Sequence, residues 1–211
     1  MNKSAFTLAE ILITLGIIGV VAALTISQLV QNYKQNSTAT KLQSTVSMLN
    51  QALIRASEEN GTPDTWGLTG YETDIVDVYL KPYLNIVKEY KPSNTTSKRY
   101  VLNNGTIISY ALGGPYNRRG IFYIYVKDDY PNYTYGKTVF TFNLYIEGSR
   151  YSVTSTRDHS SYSLCDHFTK SKLSSFCLGN TGKIGYAPGI GCSALIECNG
   201  WKFPKEYPIK L

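Results

Sequence analysis

The pattern of apolar and polar positions changes character near residue 30. From Phe6 to Ile26 the residues are apolar except for Thr, Gly and a single charge at Glu10. About 20 apolar residues at 1.5 Å each match a hydrocarbon core of roughly 30 Å, so residues 6–30 predict a membrane-spanning helix. Beyond Val30 the pattern turns amphipathic. Leu42, Val46, Leu49, Leu53 and Ala56 recur at alternating spacings of four and three, one face of a helix that continues over residues 31–60. Asn60-Gly61 followed by Pro63 is the first strong stop. A helix from Phe6 to Glu59 is roughly 80 Å long. Glu58 and Glu59 oppose the helix dipole and predict a frayed last turn.

Residues 61–211 predict a β-rich domain. Residues 61–98 read as a connection with one short helix from Asp74 to Lys81, capped by Thr73 and ended by Pro82. The polar run of residues 91–98 reads as a loop. Strand signals follow at Tyr100 to Leu102 and Thr106 to Leu112, joined by Asn103-Asn104-Gly105, a hairpin turn sequence, and closed by Gly113-Gly114-Pro115. Ile121 to Val126 and Thr138 to Ile146 are the strongest strands. In the second, Phe140, Phe142, Leu144 and Ile146 alternate with Thr141, Asn143 and Tyr145, the period of a sheet covered on one face. Glu147-Gly148 turns the chain into Arg150 to Thr154. An antiparallel meander packed on the long helix gives an α+β fold.

Composition changes the picture little. Behind a membrane helix, about 150 residues suffice for one core. The net charge of +6 is scattered, with pairs at Lys98-Arg99 and Arg118-Arg119 and no long basic run, so it solvates a surface and no nucleic-acid partner is expected. Tyr supplies 18 residues against seven Phe and two Trp, which suits half-exposed sheets and interfaces.

Cysteines are confined to the last quarter: Cys165, Cys177, Cys192 and Cys198. An even count in an exported domain predicts two disulfides stapling a loop-rich tail, with three pairings possible. If Ser193 to Asn199 is helical, Cys192 and Cys198 lie about 9 Å apart along its axis, too far to bond. Cys177–Cys192 with Cys165–Cys198 is then slightly preferred to the crossed arrangement. The chemical alternative sets Cys165-Asp166-His167 with His159 and Cys177 as zinc ligands or as a Cys–His nucleophile. Their spacings match no zinc motif, and export disfavours a reduced thiol. In the loop Lys127 to Asn132, Asp128, Asp129 and Asn132 offer too few carboxylates for calcium, and an exposed turn is expected. No metal, cofactor or catalytic residue is expected.

The first five residues, Met1-Asn2-Lys3-Ser4-Ala5, are a polar leader ending in a small residue before the apolar block. An ordinary secretory signal is cut after its apolar region, whereas cleavage at Ala5 keeps the helix and makes Phe6 the first residue. Glu10 then stands fifth. A carboxylate at bilayer depth costs on the order of 3 kcal/mol and usually has a partner. Two readings stay open on the residues alone: Glu10 pairs with the free amine of a neighbouring copy, or it sits among headgroups in a simple signal anchor. The positive-inside count is nearly tied, with Lys3 on one side and Lys34 and Lys41 on the other.

The run AFTLAEILITLGIIGVVAALTI resembles the N-terminal methylation motif of type IV pilins and type II secretion pseudopilins. The resemblance covers roughly the first 30 residues. It implies cleavage by a prepilin peptidase between Ala5 and Phe6, N-methylation of Phe6, and assembly registered by Glu10. Ala5 stands where the family usually has Gly, and Ser27 where many relatives have Pro, so no proline break in the helix is expected. The chain divides accordingly into a leader (1–5), a transmembrane assembly helix (6–30), its amphipathic continuation (31–60) and an exported pilin-like domain (61–211). The implied protein is a structural subunit of a pseudopilus or pilus-like filament, not an enzyme. Its implied partners are the prepilin peptidase, other pilin or pseudopilin subunits and an inner-membrane assembly platform. It would cross the bacterial inner membrane once, export its C-terminal domain and then enter the filament. Some pseudopilins bind calcium near the position of the Asp128 loop. The ending CSALIECNGWKFPKEYP resembles the tail of a subset of these proteins, which implies that Trp201 anchors the tail on the sheet and Gly200 ends a helical turn. A minor tip subunit for adhesion or DNA uptake, with exposed aromatics beside Arg118 and Arg119, is the first alternative. A membrane-anchored cysteine or zinc hydrolase is the second.

Overall fold

One helix carries the chain from its N-terminal arm into the domain. The computed structural model describes residues 7–66, 74–93, 95–112, 120–147, 150–156, 163–167, 169–178 and 189–211. Helix α1 (Leu8–Asn60) runs unbroken for 53 residues. No proline interrupts it, and the Ser27 hydroxyl donates to the Leu24 carbonyl 3.2 Å away without displacing the helix. The expected fraying at Glu58 and Glu59 does not occur. Asn60 Nδ2 donates to the Ala56 carbonyl at 3.0 Å, Gly61 leaves the helix at φ 79°, and Trp66 Nε1 donates to the Gly61 carbonyl at 2.7 Å. The Asn60 and Trp66 side chains thus pin the last turn of the helix and the residue that follows it.

The short helix expected from Asp74 to Lys81 is a π-helical turn, Val76–Leu80, followed by a 3₁₀ turn, Lys81–Tyr83. Its cap is Asp74, whose Oδ1 accepts from the Val76 amide at 3.0 Å, and Thr73 lies outside the described residues. Pro82 sits inside the 3₁₀ turn rather than ending the helix, because the first positions of a turn need no amide donor.

The described strands form one sheet in chain order, every neighbouring pair antiparallel: β1 (Ile86–Tyr90), β2 (Arg99–Leu102), β3 (Ile107–Leu112), β4 (Gly120–Tyr125), β5 (Val139–Glu147) and β6 (Arg150–Thr154). Strand β1 corrects the reading of residues 61–98 as a mere connection. Asn103-Asn104-Gly105 makes the expected tight turn, with Gly105 at φ 76° and Asn104 Oδ1 accepting from the Thr106 amide at 2.9 Å. The segment Gly113-Gly114-Pro115 lies outside the described residues.

The core forms between α1 and one face of the sheet. Leu42, Val46, Leu49, Leu53 and Ala56 are all buried, as their spacing predicts, against Tyr100, Ile108, Phe122, Phe140 and Phe142. At the β6 edge, Asn50 of α1 bonds the Val153 backbone twice, donating to its carbonyl at 3.1 Å and accepting from its amide at 2.7 Å. That side chain occupies the pairing edge another strand would use. Tyr110 lies across Gly120, where a Cβ would meet its ring at 1.9 Å, so glycine is required for the ring to pass.

The cysteine region is more helical than a loop-rich tail. It holds α2 (Leu164–His167), α3 (Lys170–Cys177) and α4 (Ile190–Cys198). Thr169 caps α3, its hydroxyl accepting from the Lys172 amide at 3.3 Å. Helix α4 starts earlier than the expected Ser193. It packs beside β5 where β6 does not reach, and the Ser193 hydroxyl accepts from the Thr141 amide at 3.1 Å.

Candidate functional site

The apolar arm of α1 and the closed cap at the far end of the chain are the two features with functional geometry. On the arm, Leu8 is 75% exposed, Leu24 71% and Leu29 68%, whereas Leu42, Leu49 and Leu53, further along the same helix, are fully buried. This segment is long and apolar enough to cross a membrane. Its polar groups are satisfied within the helix. Thr14 Oγ1 donates to the Ile11 carbonyl and Thr25 Oγ1 to the Val21 carbonyl, each at 2.9 Å. Such internal pairing is what an apolar solvent demands.

Glu10 is the arm's only charged side chain, and it is exposed. Its Oε2 accepts from both the Thr7 amide and the Thr7 hydroxyl at 2.8 Å, while Thr7 Oγ1 accepts from the Glu10 amide at 3.3 Å. This reciprocal capping box starts α1. The Thr-x-x-Glu spacing is a sequence signal for it, one that the registry and anchor readings of Glu10 pass over. The carboxylate therefore has a local partner in the single chain through its Oε2. Ala5 and Phe6, the expected cleavage and methylation positions, lie outside the described residues.

All four cysteines pair, Cys165 with Cys198 and Cys177 with Cys192, the preferred arrangement. Cys192 and Cys198 occupy the same helix, as the axial-distance argument requires. Gly191 lets α4 press onto α3, since a Cβ there would stand 2.4 Å from the Leu173 carbonyl oxygen. No free thiol remains, so neither a cysteine nucleophile nor a thiolate ligand for zinc is offered. His159 lies outside the described residues.

The tail is anchored as its resemblance implies. Gly200 and Trp201 both take positive φ, 68° and 59°, and the Trp201 amide donates to the Ile196 carbonyl at 2.9 Å, ending α4. The Trp201 ring stacks on Phe142 at 6.1 Å. One contact here has no counterpart in the sequence pattern. Glu197 accepts from Thr154 Oγ1 at 2.8 Å, from the Ser155 amide at 2.8 Å and from the Ser155 hydroxyl at 2.6 Å, tying α4 to the end of β6. A single Glu flanked by apolar residues gives no signal of this partner.

On the sheet face away from α1, Tyr123, Tyr125, Tyr133 and Tyr135 line a groove of about 330 Å³ that also reaches Arg99. The Arg99 guanidinium lies over the Tyr125 ring at 4.2 Å and bonds Asp128 Oδ1 at 2.9 Å. Burial pushes the Tyr123, Tyr125 and Tyr135 hydroxyls up, so they stay protonated. Asp128 and Asp129 are engaged by Arg99 and Lys127, and among the described residues no acidic or histidine cluster is arranged to hold a metal. Arg118 and Arg119 lie outside the described residues.

Fold and site together define an α+β protein with an exposed apolar helical arm and a disulfide-closed C-terminal cap. The chain belongs to a family of unknown function, DUF6613, whose model matches residues 28–211. The match takes in the buried half of α1, the sheet and the cap, and leaves out α1 before residue 28, which is nearly the whole apolar arm. No curated protein and no solved structure matches the chain.

Proposed function

We propose that this protein is a structural subunit of a type II secretion pseudopilus or type IV pilus-like filament. The observation that carries the reading is the arm: one helix leaves its large apolar side chains exposed over about a bilayer's thickness, carries a single carboxylate, and then becomes the core of the domain. The motif around Ala5, Phe6 and Glu10 adds the chemistry. Cleavage before Phe6 would release an α-amine, and Glu10 would exchange its Thr7 partners for the amine of a neighbouring subunit. The apolar arms would leave lipid together and bury one another in the filament core. Two disulfides suit a domain exported from the inner membrane. The partners proposed are the prepilin peptidase, other subunits and the assembly platform. The driving energy comes from other proteins, so the subunit needs no active site.

The test is the intact mass and N-terminal sequence of the protein recovered from membranes, with and without a prepilin peptidase. A chain starting at Phe6 and carrying one methyl group only when the peptidase is present is the expected result. A chain starting at Met1 under both conditions reduces the arm to a signal anchor. A minor tip subunit is a second reading, favoured by the Tyr-lined groove beside Arg99, which faces away from the assembly helix.

A further inference from the structure

A second groove lies where the arm meets the domain. Its floor is the polar stripe of α1 from Ser27 to Gln35, and its wall is Phe203, Pro204, Lys205 and Lys210 of the tail, around a space of about 530 Å³. No carboxylate lines it. Both lysines are exposed, and among the described residues neither forms a salt bridge. Glu206, between them in the tail, is exposed and outside the lining.

The depth of this groove identifies its surroundings. At 1.5 Å per residue, Ser27 lies about 28 Å along α1 from Leu8 and Gln35 about 40 Å. A hydrocarbon core of roughly 30 Å within a bilayer of about 40–45 Å places the emerging headgroup layer between those two residues. Tyr33, 73% exposed, and Lys34 stand at the same level, and both are residue types of the membrane interface. A cation-walled, amide-floored trough therefore opens where phosphodiesters are concentrated.

We propose that this groove holds the headgroup of an anionic phospholipid from the leaflet in which α1 emerges, with Lys205 and Lys210 on the phosphate. The Gln28, Gln31 and Gln35 amides face the polar remainder of the headgroup. The inference rests on the reading that α1 spans a bilayer before assembly. With a lipid held there, the tail seats the domain on the membrane surface in a fixed orientation around the helix.

The test uses the full chain in detergent micelles holding equal phosphatidylglycerol and phosphatidylcholine, with retained lipids counted by native mass spectrometry. Each surface lysine is worth about fivefold in anionic-lipid attraction, so the wild-type chain should prefer phosphatidylglycerol by about tenfold or more. The K205Q/K210Q variant should lose about tenfold or more of that preference, keeping only what Lys34 supplies, and K137Q/K170Q, altered at exposed lysines outside the groove, should keep the wild-type preference. An unchanged preference in K205Q/K210Q overturns the proposal. So does displacement of the lipid by millimolar inorganic phosphate, which would make the groove a free-anion site. Flotation with phosphatidylcholine vesicles in high salt separates the two readings. A chain that does not float overturns membrane insertion and the groove with it, whereas a floating chain indifferent to the two lysines overturns the groove alone.

Discussion

Tyr110 is buried with its ring across Gly120, and among the described residues its hydroxyl has no hydrogen-bond partner. An unpaired buried hydroxyl costs roughly 1–3 kcal/mol, so Tyr110→Phe should hold or raise the melting temperature. A drop of several degrees in a thermal melt would contradict this. Asp74 behaves differently. Burial pushes its carboxyl up, outweighing the Tyr100 hydroxyl and the Val76 amide, which pull it down. A pKa raised in the folded state means that the folded chain holds this proton more tightly than the unfolded one. The group favours folding below its folded pKa, and that contribution is lost as pH rises through it. Asp74→Asn should therefore gain stability relative to wild type between about pH 4 and pH 7. Parallel melting curves across that range would contradict it. Neither position announces itself in the sequence, because a lone Tyr in a strand or Asp before a turn is ordinary until its neighbours are known.

At the scale of elements, alternation and spacing make α1, β3, β4, β5 and β6 legible. The expectation that β5 is covered on one face does not hold, since Thr141 and Tyr145 are buried as well as Phe140, Phe142 and Leu144. Strand β1 is not legible. Val87, Lys88 and Glu89 at its centre are exposed, and the strand is held by pairing with β2 and by ion pairs of Glu89 with Lys81 and Lys98. Helices α3 and α4 have eight and nine residues, too short to be stable alone, and they form where a disulfide and a close crossing at Gly191 join them. The edge of β6 yields a direct prediction. Asn50→Ala removes both bonds to the Val153 backbone and should cost about 1–3 kcal/mol. It should also free the edge for pairing, visible as concentration-dependent association in size-exclusion chromatography. A monomer as stable as wild type would show that Asn50 protects nothing.

At the scale of the molecule, the cap is closed covalently. The disulfides span 33 and 15 residues of sequence, worth about 4 and about 3 kcal/mol in loop entropy alone. Reduction should lower the melting temperature markedly and release α4 from β5. Hydrogen exchange at the Thr141 amide, bonded to Ser193, should then rise before exchange in β3 and β4. Uniform loosening of the whole sheet would show instead that cap and sheet are one cooperative unit.

The sequence by itself determined the division into an apolar arm and a packed helix, because that depends only on which side chains water rejects and at what period they recur. It also determined the antiparallel order of the main strands and, through helix geometry, the exclusion of a Cys192–Cys198 bond. Only the tertiary structure decided the partners of Glu197 and Asn50, the position of the tail against Ser27 to Gln35, and the choice between the two remaining disulfide arrangements. Those are contacts between groups far apart in the chain or indifferent to local pattern, and they exist only once the helix and sheet have brought their surfaces together.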